Sequence, residues 1–263
     1  MTVLSNKTES QHYYERDGEP AYGASMKEVR QRGLIPSMTT ILGIASNWTL
    51  NQWQQRQVGI SAWNNPRHEA DREMDAWIDA RMVEAKEIVK DAADFGTRFH
   101  DGAEAILNGD NWDESDQWLI KFKDWADANV INVFWTEANL VHPTMIAAGR
   151  ADAYIDHKDH GRLILDYKTR KLRPLKKGGF SASGCRYDKD VRQLAAYSDC
   201  TAAKPRVMNL YVHRDEAAAP VGHLWSEDDQ ANGLKAFMAL AEFWCLDKKY
   251  DPRTWVPAEE VTK

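Results

Sequence analysis

Leu163-Ile164-Leu165-Asp166-Tyr167-Lys168-Thr169, or LILDYKT, is the stretch on which the reading of this chain turns. Read as the end of a strand running from Arg162 to Lys168, it puts Leu163, Leu165 and Tyr167 on one face and Ile164, Asp166 and Lys168 on the other. Leu163 and Leu165 are natural core residues. An Asp and a Lys two apart at a strand's end need a reason if they are shielded, because an unpaired charge is costly to bury. Taken alone, such a pair more often faces water or pairs with itself, so the surrounding sequence has to decide.

The next strand upstream reads as Ala148 to His157, joined to the first through Lys158-Asp159-His160-Gly161. Within it, Gly149-Arg150-Ala151-Asp152 supplies a second carboxylate fourteen residues before Asp166, a spacing suited to an antiparallel partner. Two neighbouring carboxylates repel unless a proton or a cation sits between them. Oxygen donors beside a Lys suit Mg²⁺, with Mn²⁺ as a substitute, far better than zinc. Further upstream, His100 and Glu104 are four apart on a helix and share its face, as do Gln193 and Tyr197 downstream. Each of these pairs alone also reads as an ordinary surface or amphipathic feature. Directly after LILDYKT, the run RKLRPLKK places Arg170, Lys171, Arg173, Lys176 and Lys177 within eight residues and without an acid. These five are candidates to hold a nucleic-acid backbone; the plainer alternative is a solvated loop.

The remaining chain frames this centre. The first thirty residues read as an irregular lead-in, with a small hairpin from His12 to Tyr22 around Asp17-Gly18. Ser37 or Thr39 caps a helix over MTTIL. Helices follow from Asn51, interrupted at Asn64-Asn65-Pro66, then from Asp71 to Leu107 with a break expected near Gly96, and from Glu114 to Asn129. Val133 to Val141 reads as another strand. After a loop containing Gly178-Gly179 come a helix (Asp188 to Thr201), strands at Arg206 to His213 and Gly222 to Trp225, and a closing helix (Glu227 to Leu246). Trp48, Trp53, Trp63 and Trp77 recur at helical spacing, which favours core over stacking on unpaired bases. Ser37, Thr39 and Thr40 have a reading as a terminal-phosphate grip, though capping alone explains them.

Composition sets the outer limits. With 263 residues, 43% hydrophobic and 28% charged, the chain has the makeup of a soluble globular protein. No secretory or transit signal and no run of 18 apolar residues is recognisable, so a cytoplasmic protein is expected, without membrane association. Net charge is −6, which counts mildly against general nucleic-acid binding; the local basic run counts for it. Three scattered cysteines fit a reducing compartment.

The motifs taken together resemble the PD-(D/E)XK nuclease superfamily, in particular its RecB-like exonuclease branch. They are G-x-x-x-H (Gly96 to His100), G-x-x-D (Gly149 to Asp152), D-Y-K-T (Asp166 to Thr169) and Q-x-x-x-Y (Gln193 to Tyr197), with Glu137 where many members carry a glutamate. IPSMTTILG is similar to a segment of the phage and mitochondrial-maintenance-type exonucleases in that branch. The proline of the superfamily's name is absent, since Ala151 precedes Asp152.

The resemblance implies an α/β (α+β) restriction-endonuclease-like core, with a mixed central sheet flanked by helices, over residues 91–250. A lead-in and helical elaboration would occupy 1–90 and a tail 251–263, all within one compact domain of a protein from a bacterial or phage-infected cell. It implies a Mg²⁺-dependent DNA exonuclease of recombination or DNA processing; a structure-specific or restriction-type endonuclease and a catalytically silent DNA-binding subunit are the alternatives. His100, Asp152, Asp166 and the Tyr167 carbonyl would bind metal, and Lys168 would orient or deprotonate the attacking water. Gln193 would fix the geometry, Tyr197 would touch substrate or support its helix, and Glu104 and Glu137 would be outer partners. Homo-oligomerisation and a single-strand annealing or recombination partner are implied by analogy. An iron–sulfur cluster, which some relatives hold with four cysteines, is not expected from three.

Overall fold

In the computed structural model, residues 13–45, 48–67 and 74–257 are described. A five-stranded mixed sheet forms the centre, in the order β3-β4-β5-β8-β9. Its strands are β3 (Val130–Val141), β4 (Ala148–His157), β5 (Gly161–Arg170), β8 (Arg206–His213) and β9 (Val221–Leu224). The first three form an antiparallel meander, β8 joins β5 in parallel, and β9 returns antiparallel to β8. The one parallel pairing requires a crossover, which the helix α6 (Asp188–Asp199) supplies.

Alternation along the strands gives the sheet two apolar faces. Leu163, Leu165 and Tyr167 of β5 pack with Ile155, Leu210 and Val212 beneath α4 (Met74–Asn108) and α5 (Gln117–Asn129), against Phe99, Ala103, Leu119 and Phe122. Ile164, Tyr154 and Val207 point the other way, toward α2 (Met38–Leu42), α6 and α7 (Glu227–Lys248). Helices therefore cover both faces of a mixed sheet, the coarse architecture expected from the sequence. Among the described residues no helix is long and apolar enough to cross a membrane.

The lead-in is more ordered than its composition suggests. Tyr13–Tyr14 (β1) pairs with Ile35–Pro36 (β2), and Tyr14 bridges Pro20 around the Asp17-Gly18 turn, so the expected hairpin exists in miniature; His12 lies outside the described residues. Between them Met26–Arg32 forms the helix α1, absent from the sequence reading. Its signal was present: Ser25 and Glu28 build a capping box, Ser25 accepting from the Glu28 amide and Glu28 from the Ser25 amide. Tyr13, Val29, Leu34 and Met38 enter the same apolar cluster as Ile164, which joins this segment to the sheet. The C-terminal end closes over it, with Tyr250 Oη donating to the Leu34 carbonyl and Trp255 Nε1 to that of Arg30.

Three expectations are corrected. Helix α4 runs unbroken through Gly96, where an added Cβ would lie 3.4 Å from Thr169 Oγ1; the glycine serves a close approach to β5 rather than a break. The basic loop is an ordered hairpin, Arg173–Pro174 (β6) against Phe180–Ser181 (β7), turning through Gly178-Gly179. The tryptophans of the helical arm are not core: Trp63 of α3 (Trp48–Asn64) is 86% exposed, and Trp53 and Trp77 are half-buried. The side chain of Trp48 lies outside the described residues. Over this arm α3 and the first half of α4 meet mainly each other, through Ser61 and Asn65 on Glu84 and Trp77 on the Asn65 carbonyl. Such a pair has too little apolar cover to bury the indoles of Trp53, Trp63 and Trp77 fully.

Three strands end in one device. His142, His157 and His213, at or just past the ends of β3, β4 and β8, each accept through Nδ1 from the amide two residues on. An imidazole that accepts there satisfies an amide the ladder no longer reaches.

Candidate metal centre

Four elements converge beside the β4–β5 pairing. The ladder ends at Ala153↔Leu165, and one residue further the Asp152 carboxylate accepts from the Tyr167 amide at 2.6 Å. On the other side of β4, Thr136 pairs with Ala153 and Ala138 with Ala151, which leaves Glu137 facing Asp152. Glu137 sits at φ +44°, a left-handed conformation that a non-glycine residue adopts at a cost of about 1–3 kcal/mol. Helix α4 delivers His100, whose Nδ1 lies 3.6 Å from Asp152 and 3.7 Å from Glu137. His100, Glu137 and Asp152 each place a ligand atom within 4.8 Å of the others.

This cluster differs from the expected ligand set in two respects. Glu137, read as an outer partner, stands inside it. Asp166 stands beside it: its carboxylate takes Lys168 Nζ at 2.6–2.7 Å and Asn209 Nδ2 at 2.6 Å. Tyr167 contributes an amide to Asp152, and its ring packs edge-on against His100 and Phe99. Glu104 lies farther along α4, contacting Thr136 and, at 3.9 Å, Arg150.

The electrostatics of the cluster call for a cation. Burial opposes charge on His100, yet Asp152 and Glu137 outweigh it and push its pKa up to about 9. Burial, reinforced by Asp166, raises the pKa of Asp152; burial also raises that of Asp166, against the pull of Lys168. Protonated His100 thus stands where the carboxylates want positive charge. Arg150 pairs with one oxygen of Glu137 at 2.5 Å, while the other, Oε1, is buried and accepts no hydrogen bond. This buried oxygen has only the ion-pair contact of His100 Nδ1 at 3.7 Å, too long for a hydrogen bond, and so keeps its lone pairs available to a metal. Two carboxylates suit Mg²⁺ or Mn²⁺, and the imidazole adds to the fit for Mn²⁺.

Two further residues support the centre, and sequence reading missed both. Asn209 is fully buried in β8, opposite Asp166, and bridges it to the Trp225 indole. An indole N–H can only donate, so Asn209 Oδ1 faces Trp225 and Nδ2 faces Asp166. Its signal was a lone amide inside the apolar run VMNLYV. Asp190, at the start of α6, takes both terminal nitrogens of Arg170 at 2.7 and 2.8 Å and the Tyr211 hydroxyl. Arg170 also lies over the Tyr187 ring and donates to the Cys185 carbonyl. Of the five basic candidates Arg170 is therefore built into the fold. Lys171 pairs with Asp215 at 3.2 Å and stays exposed; Arg173, Lys176 and Lys177 line an open depression of about 520 Å³ on the β6–β7 hairpin.

Gln193 and Tyr197 are joined directly, Gln193 Nε2 donating to Tyr197 Oη at 3.0 Å. Tyr197 also explains the glycine of G-x-x-D. A Cβ on Gly149 would lie 2.9 Å from Tyr197 Cε1, so only glycine lets this ring rest against β4. Gly149→Ala is expected to lower stability by about 1–3 kcal/mol, the scale of overpacking a filled core, as read by urea unfolding. An unchanged midpoint would show that the ring can move aside.

No profile of a known protein family matches the chain, and no curated protein is significantly similar to it. The functional reading therefore stands on the motifs and the geometry.

Proposed function

We propose that this chain is a divalent-metal-dependent deoxyribonuclease of the PD-(D/E)XK type, acting as an exonuclease on DNA. The observation that carries the reading is the convergence of His100, Glu137 and Asp152, with the buried Oε1 of Glu137 outside hydrogen-bond distance of any donor, beside the Asp166–Lys168 pair. A bound Mg²⁺ or Mn²⁺ would lower the pKa of a coordinated water and neutralise charge on the scissile phosphate. His100, Glu137 and Asp152 would hold it, and Asp166 is near enough to Asp152 to influence its ionisation.

The protein's own groups do the rest. Lys168 is fixed by Asp166, which Asn209 and Trp225 hold in turn, so its ammonium is positioned before substrate arrives. An ordered cation there orients the attacking water and offsets the negative charge that builds on the phosphate. Gln193, tied to Tyr197, borders the same region from α6. Lys171, Arg173, Lys176 and Lys177 offer an exposed basic border for the DNA backbone, whose contribution weakens with salt.

Two measurements test the reading. Manganese titration of the metal-free protein is expected to give saturable binding that Glu137→Gln weakens by about tenfold or more; equal affinity in the variant would remove Glu137 from the centre. Linear DNA is expected to be degraded from its ends while closed circles persist. Circles cut as fast as ends would make the enzyme an endonuclease, and no cutting of either in Mg²⁺ or Mn²⁺ would favour a silent DNA-binding subunit.

A further inference from the structure

The cations beside the carboxylate cluster differ in their occupancy. Arg150 is paired with Glu137, Lys168 with Asp166 and Arg170 with Asp190. Lys189, in the first turn of α6, makes no hydrogen bond or ion pair among the described residues. The acids next to it in sequence are engaged elsewhere. Asp190 is taken by Arg170, the Tyr187 amide and the Tyr211 hydroxyl, and Asp188 faces Arg192 at 3.5 Å.

Three physical terms disfavour a lone ammonium at this place. Lys189 is half-buried, so part of its hydration is lost. It stands at the positive end of the helix dipole, where acids and not bases are favoured. Lys168 and Arg170 are within electrostatic reach; burial first, and then Lys168, hold its pKa below the ordinary lysine value, against the weaker pull of Asp190. An anion bound beside the ammonium would relieve each of the three. Lys189 also lies four and eight residues before Gln193 and Tyr197, and so on the helix face that this bonded pair occupies. It stands about one helical turn, roughly 5.4 Å, beyond Gln193.

We propose that Lys189 is a substrate-binding residue that holds a non-bridging oxygen of the DNA phosphate adjacent to the one being cleaved. The inference rests on the nuclease reading and adds a contact on α6, apart from the basic hairpin.

The test uses end-labelled DNA in Mg²⁺, either natural or carrying one neutral methylphosphonate beside the cleaved linkage. Lys189→Ala is expected to raise KM about tenfold with kcat within about twofold, and Lys189→Arg to restore KM. The methylphosphonate is expected to cost the wild type about tenfold in KM and to leave Lys189→Ala unaffected, because both changes remove the same contact. Since Lys189 supports no other residue, both variants should melt with the wild type. Wild-type kinetics in Lys189→Ala, a loss confined to kcat, or multiplied effects of the variant and the methylphosphonate would each overturn the assignment. A wild type that cuts neither DNA defeats the nuclease reading itself, a different result from an active wild type indifferent to Lys189.

Discussion

Asp152→Asn is expected to reduce Mg²⁺-dependent DNA hydrolysis about a thousandfold while leaving the melting temperature at or above that of the wild type. The loss follows from position: Asp152 faces both His100 and Glu137, and among the described residues no other carboxylate is held between them. Removing one preorganised electrostatic group from a reaction centre costs on the order of 10²–10³ in rate. The retained stability follows from burial. Asp152 is nearly inaccessible and burial raises its pKa, so its negative charge is a liability to the fold. Asparagine keeps the oxygen that accepts from the Tyr167 amide and discards the charge. Enzyme assay and thermal melting on one preparation separate the outcomes. Wild-type activity in the variant would remove Asp152 from the chemistry, whereas a melting temperature several degrees lower would show that its charge stabilises the fold.

Arg170→Ala is expected to have the larger effect on stability, a loss of about 3–5 kcal/mol. The Asp190 carboxylate is 2% exposed, and two of the hydrogen bonds that satisfy it come from Arg170. Deleting one partner of a buried ion pair leaves the other charge in a medium that cannot solvate it, which is why the loss exceeds that of a surface pair. The consequence should extend to α6, since Asp190 also accepts from the Tyr187 amide at the helix start. Urea unfolding measures it. A change below about 1 kcal/mol would return Arg170 to the basic border and show that the Tyr187 amide and the Tyr211 hydroxyl suffice for Asp190.

The same two residues show where sequence reading succeeds and stops. Alternation in LILDYKT places Leu163, Leu165 and Tyr167 in one core and Ile164 in the other, because strand geometry fixes side-chain direction two residues at a time. Hairpin spacing brings Asp152 alongside Asp166 and Tyr167 for the same reason. Local rules carry no information about which of several nearby groups a charge selects. Arg170 stands in an exposed-looking basic run, yet it turns inward to an acid twenty residues away. Glu137 enters the centre through a left-handed backbone within a strand, a conformation that nothing in WTEANL announces. Trp63 fails in the opposite sense: helical spacing marks a face for burial, but only a partner of sufficient area can bury it.

The central claim is that a divalent cation, held by His100, Glu137 and Asp152, is required for cutting DNA. The most direct measurement follows end-labelled linear DNA with the purified chain after chelation and again after Mg²⁺ or Mn²⁺ is restored. No shortening is expected in chelator, and progressive shortening once either ion returns. Hydrolysis that continues undiminished in excess chelator would contradict it.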